Sequence, residues 1–217
     1  MIRKILRFFG LLLLGLVGLA AIGYVIIDKP VPNGTLGQDA EQLADEVLEA
    51  LNKPGFDSLE YIEFTFRNTN RYKWDRSNNS VIANWEEQEV YLDLNRPMDS
   101  YSLLEFKAYQ NFINDSFWLI APFKLRDEGV IRSTVVVGNG RGLLVTYSSG
   151  GLTPGDSYLW VIDENGFPKS WKLWTSNIPI GGLELGWSGW VNKNDVWFST
   201  VHEGKFTTVP VEVHSVR

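Results

Sequence analysis

Residues 59–94 read LEYIEFTFRNTNRYKWDRSNNSVIANWEEQEVYLDL, and their period decides the fold class. Ile62, Phe64 and Phe66 alternate with Glu63 and Thr65, and Tyr72 and Trp74 flank Lys73. A repeat of two places one set of side chains on a single sheet face. Ser77-Asn78-Asn79-Ser80 reads as a turn, and Val81–Trp85 and Val90–Leu94 as two further short strands. The gaps are too short for crossover helices, so the strands run as an antiparallel meander.

Working outward, the segment before the meander has a helical period. Ala40, Leu43, Ala44, Val47, Leu48 and Leu51 share one face. Asp39 is placed to cap this helix, with Gln42 three residues on, and Asn52-Lys53-Pro54-Gly55 to stop it. Beyond the meander, Leu103, Leu104, Phe106, Ala108, Tyr109, Phe112 and Ile113 are spaced for a second helix within 99–120, bounded by Pro97 and Pro122. Strands then return at 130–137, 142–147, 158–163, 168–175, 183–191, 196–202 and 206–213. Glu164-Asn165-Gly166 carries the Asn-Gly pair that supplies the positive φ angles of a tight hairpin. The sum is a mainly β (α+β) chain: one curved antiparallel sheet, or incomplete β-barrel, of about eleven strands that holds helices on one face.

The chain opens with Arg3, Lys4 and Arg7, then runs uncharged from Phe8 to Ile27 (FFGLLLLGLVGLAAIGYVII). Twenty such residues form a helix about 30 Å long, the thickness of a bilayer's hydrocarbon core. Cations before the run and Asp28 after it put the rest of the chain across the membrane from the cytoplasm. The expected layout is a membrane anchor or signal segment over 1–27, a Pro/Gly linker over 28–37 and a β domain over 38–217. The expected address is the inner (cytoplasmic) membrane, single-pass, with the C-terminal domain periplasmic. The competing reading is a cleaved leader ending at Ala20. It leaves an apolar new terminus, Ala21–Ile27, and the run exceeds the 7–15 residues of a signal core.

Composition closes off several function classes. All 26 acids, but only 17 of the 20 Lys and Arg, follow residue 27, a net charge of −9. Nucleic acid is not an expected partner, since it calls for clustered cations. With no cysteine there is no thiol chemistry, cysteine-held metal or disulfide. The two histidines, His202 and His214, fit no metal or triad pattern, and no phosphate-cradling or dinucleotide motif occurs. Neither a cofactor nor a metal is expected, and the chain is not read as an enzyme. Glu184, in a strand with Trp187 and Trp190, is the one acid placed among aromatics as a sugar enzyme would need. The loop 150–157 (GGLTPGDS) reads as a tight connection, a lone Asp156 being too little charge for a cation.

What stands out is nine Trp, twelve Phe and eight Tyr. Such a load fits a sheet protein with an aromatic-lined cavity. Phe64, Tyr72, Trp74, Trp118, Trp160 and Trp171 are the candidate lining residues, chosen for bulk and strand position.

Asn114-Asp115-Ser116-Phe117-Trp118-Leu119, then Pro122-Phe123-Lys124-Leu125, Asp127 and Gly129-Val130, form a pattern. Gly155-Asp156-Ser157-Tyr158 with Val161-Ile162-Asp163, and Gly189-Trp190 with His202, extend it. It resembles uncharacterised exported bacterial proteins related to the LolA/LolB-like periplasmic lipoprotein-carrier superfamily. The resemblance implies an incomplete β-barrel closed by helices around a cavity for acyl chains. In the carriers an arginine helps gate that cavity, and no motif ties an arginine of this chain to that place. Nor is there a cysteine to acylate, as the receptor of that superfamily has.

The expected function is a membrane-tethered periplasmic domain that binds a lipid, a lipoprotein acyl chain or another hydrophobic ligand, in lipoprotein or lipid handling. Two alternatives stand beside it: a non-enzymatic structural or adaptor domain for another envelope protein, and a carbohydrate-active or sugar-binding protein.

Overall fold

The computed structural model describes Phe9, Leu13, Gly15, Leu16 and residues 27–217, except 139, 150 and 151. The expected anchor over 8–27 thus lies almost wholly outside the described residues. Among the described residues no helix is long and apolar enough to cross a membrane.

The protein is mainly β, with antiparallel strands and, among the residues described from 28 onward, three α-helices. The meander is present at the expected period: β1 (Tyr61–Phe66), β2 (Asn70–Asp75), β3 (Ser80–Trp85) and β4 (Gln88–Asp93) pair in sequence. β5 (Val130–Val137), β6 (Gly140–Tyr147), β7 (Ser157–Ile162), β8 (Pro168–Trp174) and β9 (Leu183–Gly186) form a second sheet in chain order. β10 (Val191–Lys193) and β11 (Val196–Phe198) make a separate hairpin. β12 (Val201–Glu203) and β13 (Thr208–Val216) return to the first sheet, where β13 pairs with β1. Its order is β12-β13-β1-β2-β3-β4.

Two expected strands each divide. The stretch 183–191 breaks after β9 because Gly189 takes a φ of +63°, which turns the chain out of the sheet. The stretch 196–202 breaks where Ser199 Oγ and the Thr200 N–H bond the Ser188 carbonyl. The two main sheets touch through isolated bridges, Leu185 with Gly204 and Ser188 with Val201. β4 and β5, at the outer edges, do not pair, so no closed barrel forms.

Helix α1 (Gln38–Ala50) buries Ala40, Leu43, Ala44, Val47 and Leu48, the expected face. Asp39 is not its cap. Gly37 holds that position without a side-chain bond, and Asp39 and Glu41 sit in the first turn, where they complement the helix dipole. Asn52 does not end the helical region either. It opens helix α2 (Lys53–Ser58), with its Oδ1 accepting from the Gly55 N–H at 3.0 Å. Glu41 and Asp45 bind Arg126, Glu41 also binds Arg132, and Glu46 pairs with Arg141, tying α1 to the second sheet. Gly166 ends the Asn-Gly turn at φ +86°, and a Cβ there would stand 2.9 Å from the Glu46 carbonyl oxygen of α1.

Helix α3 (Leu103–Ile120) begins with a capping box of Ser102 and Glu105. It then runs between the inner faces of the two sheets. Phe112 meets Tyr72 and Trp74 of the first sheet at 5.7 and 5.3 Å between ring centres. Phe117 meets Tyr147 and Tyr158 of the second at 5.6 and 5.2 Å.

Candidate functional site, an aromatic cavity beside helix α3

Pairing across the sheets decides which side chains face α3. Phe64 opposes Tyr72 and Ile62 opposes Trp74, so these four share the inner face of the first sheet. Trp160 opposes Trp171, and Tyr158 opposes Leu173, on the inner face of the second. A helix cannot fill the space between two such faces along its whole length. What remains is a cavity of about 1030 Å³ that opens to solvent.

Its apolar wall is built by Trp74, Phe112, Phe117, Trp118, Tyr158 and Trp171. Three of the six residues chosen from sequence, Trp74, Trp118 and Trp171, are therefore on the wall. The other three are not: Phe64, Tyr72 and Trp160 are at most 1% exposed and sit one layer behind it. Phe112 covers Tyr72, which covers Phe64. Trp171 and Trp187 cover Trp160. Sequence choice also passed over Phe117, Tyr147 and Tyr158. The usable signal was phase: Tyr158 precedes Trp160 by two in a strand, and Phe117 follows Ile113 by four in a helix.

The familiar pattern 114–119 lies on α3 at the cavity. Asn114, Ser116, Phe117 and Trp118 line it, while Asp115 points into the packing, 3% exposed. The Asp115 Oδ2 accepts from the Tyr72 hydroxyl at 2.6 Å and the Asn70 Nδ2 at 2.8 Å, and its Oδ1 accepts from Asn114 at 3.0 Å. This bond set fixes the helix to β2. Burial, and then the Asp115 charge, push the Tyr72 phenol far above its ordinary pKa, so it stays a donor. Replacing Asp115 with Ala strands the buried Tyr72 hydroxyl, and a loss of about 2 kcal/mol in stability is expected. Asp115→Asn, which keeps an acceptor, is expected to lose less, and chemical denaturation of the two variants checks the ranking.

The rim is polar. Lys124 pairs with Asp127, and Arg67, Asn70, Glu128, Ser149 and Asn177 stand around it. Asp156 is buried and staples two loops together, accepting from Thr153 Oγ1 at 2.6 Å and the Ser176 N–H at 2.9 Å. Burial and the Asp156 charge raise the Tyr158 pKa, and burial raises that of Tyr147, so both remain neutral phenols.

Candidate chemistry elsewhere is sparse. Glu184 is on the exposed side of β9, accepting from Ser170 at 2.6 Å near Lys172, and is not among the cavity's lining residues. His202 is fully buried, and His214 bonds Thr65 at 2.8 Å from a separate strand. Among the described residues, no group of three or more His, Asp or Glu could hold a metal ion.

No family model matches the chain. None of the curated proteins matches it. Among solved structures it is similar to the crystal structure of a DUF1329 family protein from Desulfovibrio piger, with a TM-score of 0.40 and 9% identity. That likeness covers 83% of this chain and 93% of the other.

Proposed function

We propose that the chain is a membrane-tethered periplasmic domain that binds a lipid or other apolar molecule, in lipid or lipoprotein handling. The observation that carries this reading is the 1030 Å³ cavity with aromatic rings from α3 and both sheets on its wall. That volume stands at the upper end of the usual range for ligand pockets. Each methylene moved from water into such a site is worth about 0.8 kcal/mol before the cost of ordering the ligand. Further support comes from the element order. Read through the bridges at Leu185–Gly204 and Ser188–Val201, the two sheets become one curved, incomplete barrel around α3. That is the architecture implied by the resemblance to the lipoprotein carriers. Binding rather than catalysis is favoured because the cavity's lining residues include no histidine, two of its three acids, Asp127 and Asp156, are already engaged, and the third, Glu128, stands on the polar rim.

Native mass spectrometry of the purified protein, with solvent extraction of anything bound, tests this. The expected result is a stoichiometric adduct of lipid mass that is lost in Ile113→Arg, which sets a cation on the wall. A bare protein mass that does not shift on adding phospholipid or acylated peptide would sink the reading. An adaptor role is the second reading, favoured by one feature: Leu103, Leu104 and Phe106 are exposed together at the start of α3.

A further inference from the structure

We infer that the cavity opens towards the bilayer, at the end of the domain where the chain arrives from its apolar N-terminal run, and takes its ligand from that surface. The inference rests on the membrane-tethered reading above and goes beyond it by fixing an orientation.

The chain after Ile27 is not slack. Asp28 Oδ1 accepts from the Gly181 N–H at 2.7 Å, the Lys29 N–H donates to the Gly181 carbonyl at 3.0 Å, and Trp174 Nε1 donates to the Lys29 carbonyl at 2.6 Å. Residues 28–31 therefore lie in a groove formed with Pro154, Trp174 and Ser176. That groove shares Asp156, Thr175 and Ile178 with the large cavity. The apolar run of residues 8–27 stops one residue before the first of these bonds. A residue spans at most about 3.6 Å, so the linker expected over 28–37 is already docked on this end of the sheet at its first two residues and adds no free spacer before it.

The topology supplies the contrast. The connections β6–β7 and β8–β9 lie at the cavity end of the second sheet, and the turn β7–β8 at the other. The seven residues of β8 span about 20 Å at the usual rise per residue. The near end also carries the exposed apolar side chains Val31 and Leu152, and the cation Lys29, which suits a headgroup layer.

Because the chain has no cysteine, single cysteines can be labelled cleanly. Full-length Ser176→Cys, Asn165→Cys and Leu13→Cys proteins, each carrying an environment-sensitive fluorophore, would be placed in phosphatidylethanolamine–phosphatidylglycerol vesicles containing a headgroup nitroxide lipid. Strong quenching is expected at positions 13 and 176, with position 165 several-fold less affected. Should Ser176→Cys fail to fold, Pro154→Cys reports on the same groove. Quenching at 13 with equal or greater quenching at 165 than at 176, or none at either, would overturn the orientation while leaving the tether intact. No quenching at 13 would overturn the tether itself, and this inference with it. Adduct formation in native mass spectrometry is read separately.

Discussion

Trp171→Ala is expected to cost about 3–5 kcal/mol of unfolding free energy. Trp171 is 1% exposed and its ring meets those of Phe117, Trp118, Tyr158, Trp160 and Trp187, at 4.9 to 6.0 Å between centres. These partners come from α3, β7 and the segment after β9. No single movement of one element can close the hole. The indole N–H has no hydrogen-bond partner, so no hydrogen bond is lost, and removing a buried unpaired donor offsets a part of the loss. The loss itself is apolar area, dispersion contacts and ring pairing, the last worth about 0.5–1.5 kcal/mol per pair. Trp171→Phe keeps an aromatic face and is expected to lose roughly half as much. Urea denaturation measures both. A loss under about 1 kcal/mol for the alanine variant would mean that the cluster is not packed as described. An apolar ligand that occupies the enlarged cavity should recover part of the loss.

Stability is expected to fall by about 3 kcal/mol as the pH is lowered from 6.5 to 4, chiefly through one residue. His202 is fully buried among other side chains: the ring centres of Trp187 and Trp118 lie 4.3 and 5.5 Å from its own. Burial lowers its pKa to about 4, although the carbonyls of Gly186 and Trp118 lie near enough to favour the protonated ring. Neither ring nitrogen has a well-aligned hydrogen bond. Between pH 6.5 and 4 the unfolded chain takes up a proton at this histidine and the folded chain does not, so acid favours unfolding. Above pH 6.5 both states are neutral there and the contribution is full. The carboxylates held by arginines act lower: burial pulls Glu63 and Glu41 upward, but Arg71 on the first and Arg132 and Arg126 on the second hold them below their ordinary value of 4.5. Their contribution is lost only as the pH falls below that value. His202→Phe is expected to fold and to flatten the profile between pH 6.5 and 4. An unchanged slope in that variant would show that the proton uptake happens elsewhere.

The period of two in residues 61–94 was enough to locate four strands to within two residues, because each strand has one buried face. The helical face of 40–51 was equally legible. Local signals were weaker guides. Asp39 has the right chemistry for a cap, yet the cap position falls two residues earlier at Gly37, and Asn52 uses a left-handed φ of 59° to start a helix where Pro54 and Gly55 suggested a stop. Depth was not legible at all. Trp160 and Trp171 are direct cross-strand partners with the same chemistry and the same facing. Trp187 packs on both, and only the arrival of α3 beside Trp171 puts one on the wall and the other behind it. Alternation reports the face of a sheet, and the layer within a core is set by elements far away in the chain.

The pairing of β1 with β13 also governs when the domain can form. Phe64 waits for Val213, and Phe66 for Val211, so one side of β1 stays unsatisfied until the far end of the chain has been made. An emerging polypeptide can assemble the β1–β4 hairpins early, but it leaves an open apolar edge for the remainder of synthesis. Such a chain stays loose until its final strand is available, and it depends on holding that edge away from its neighbours until then.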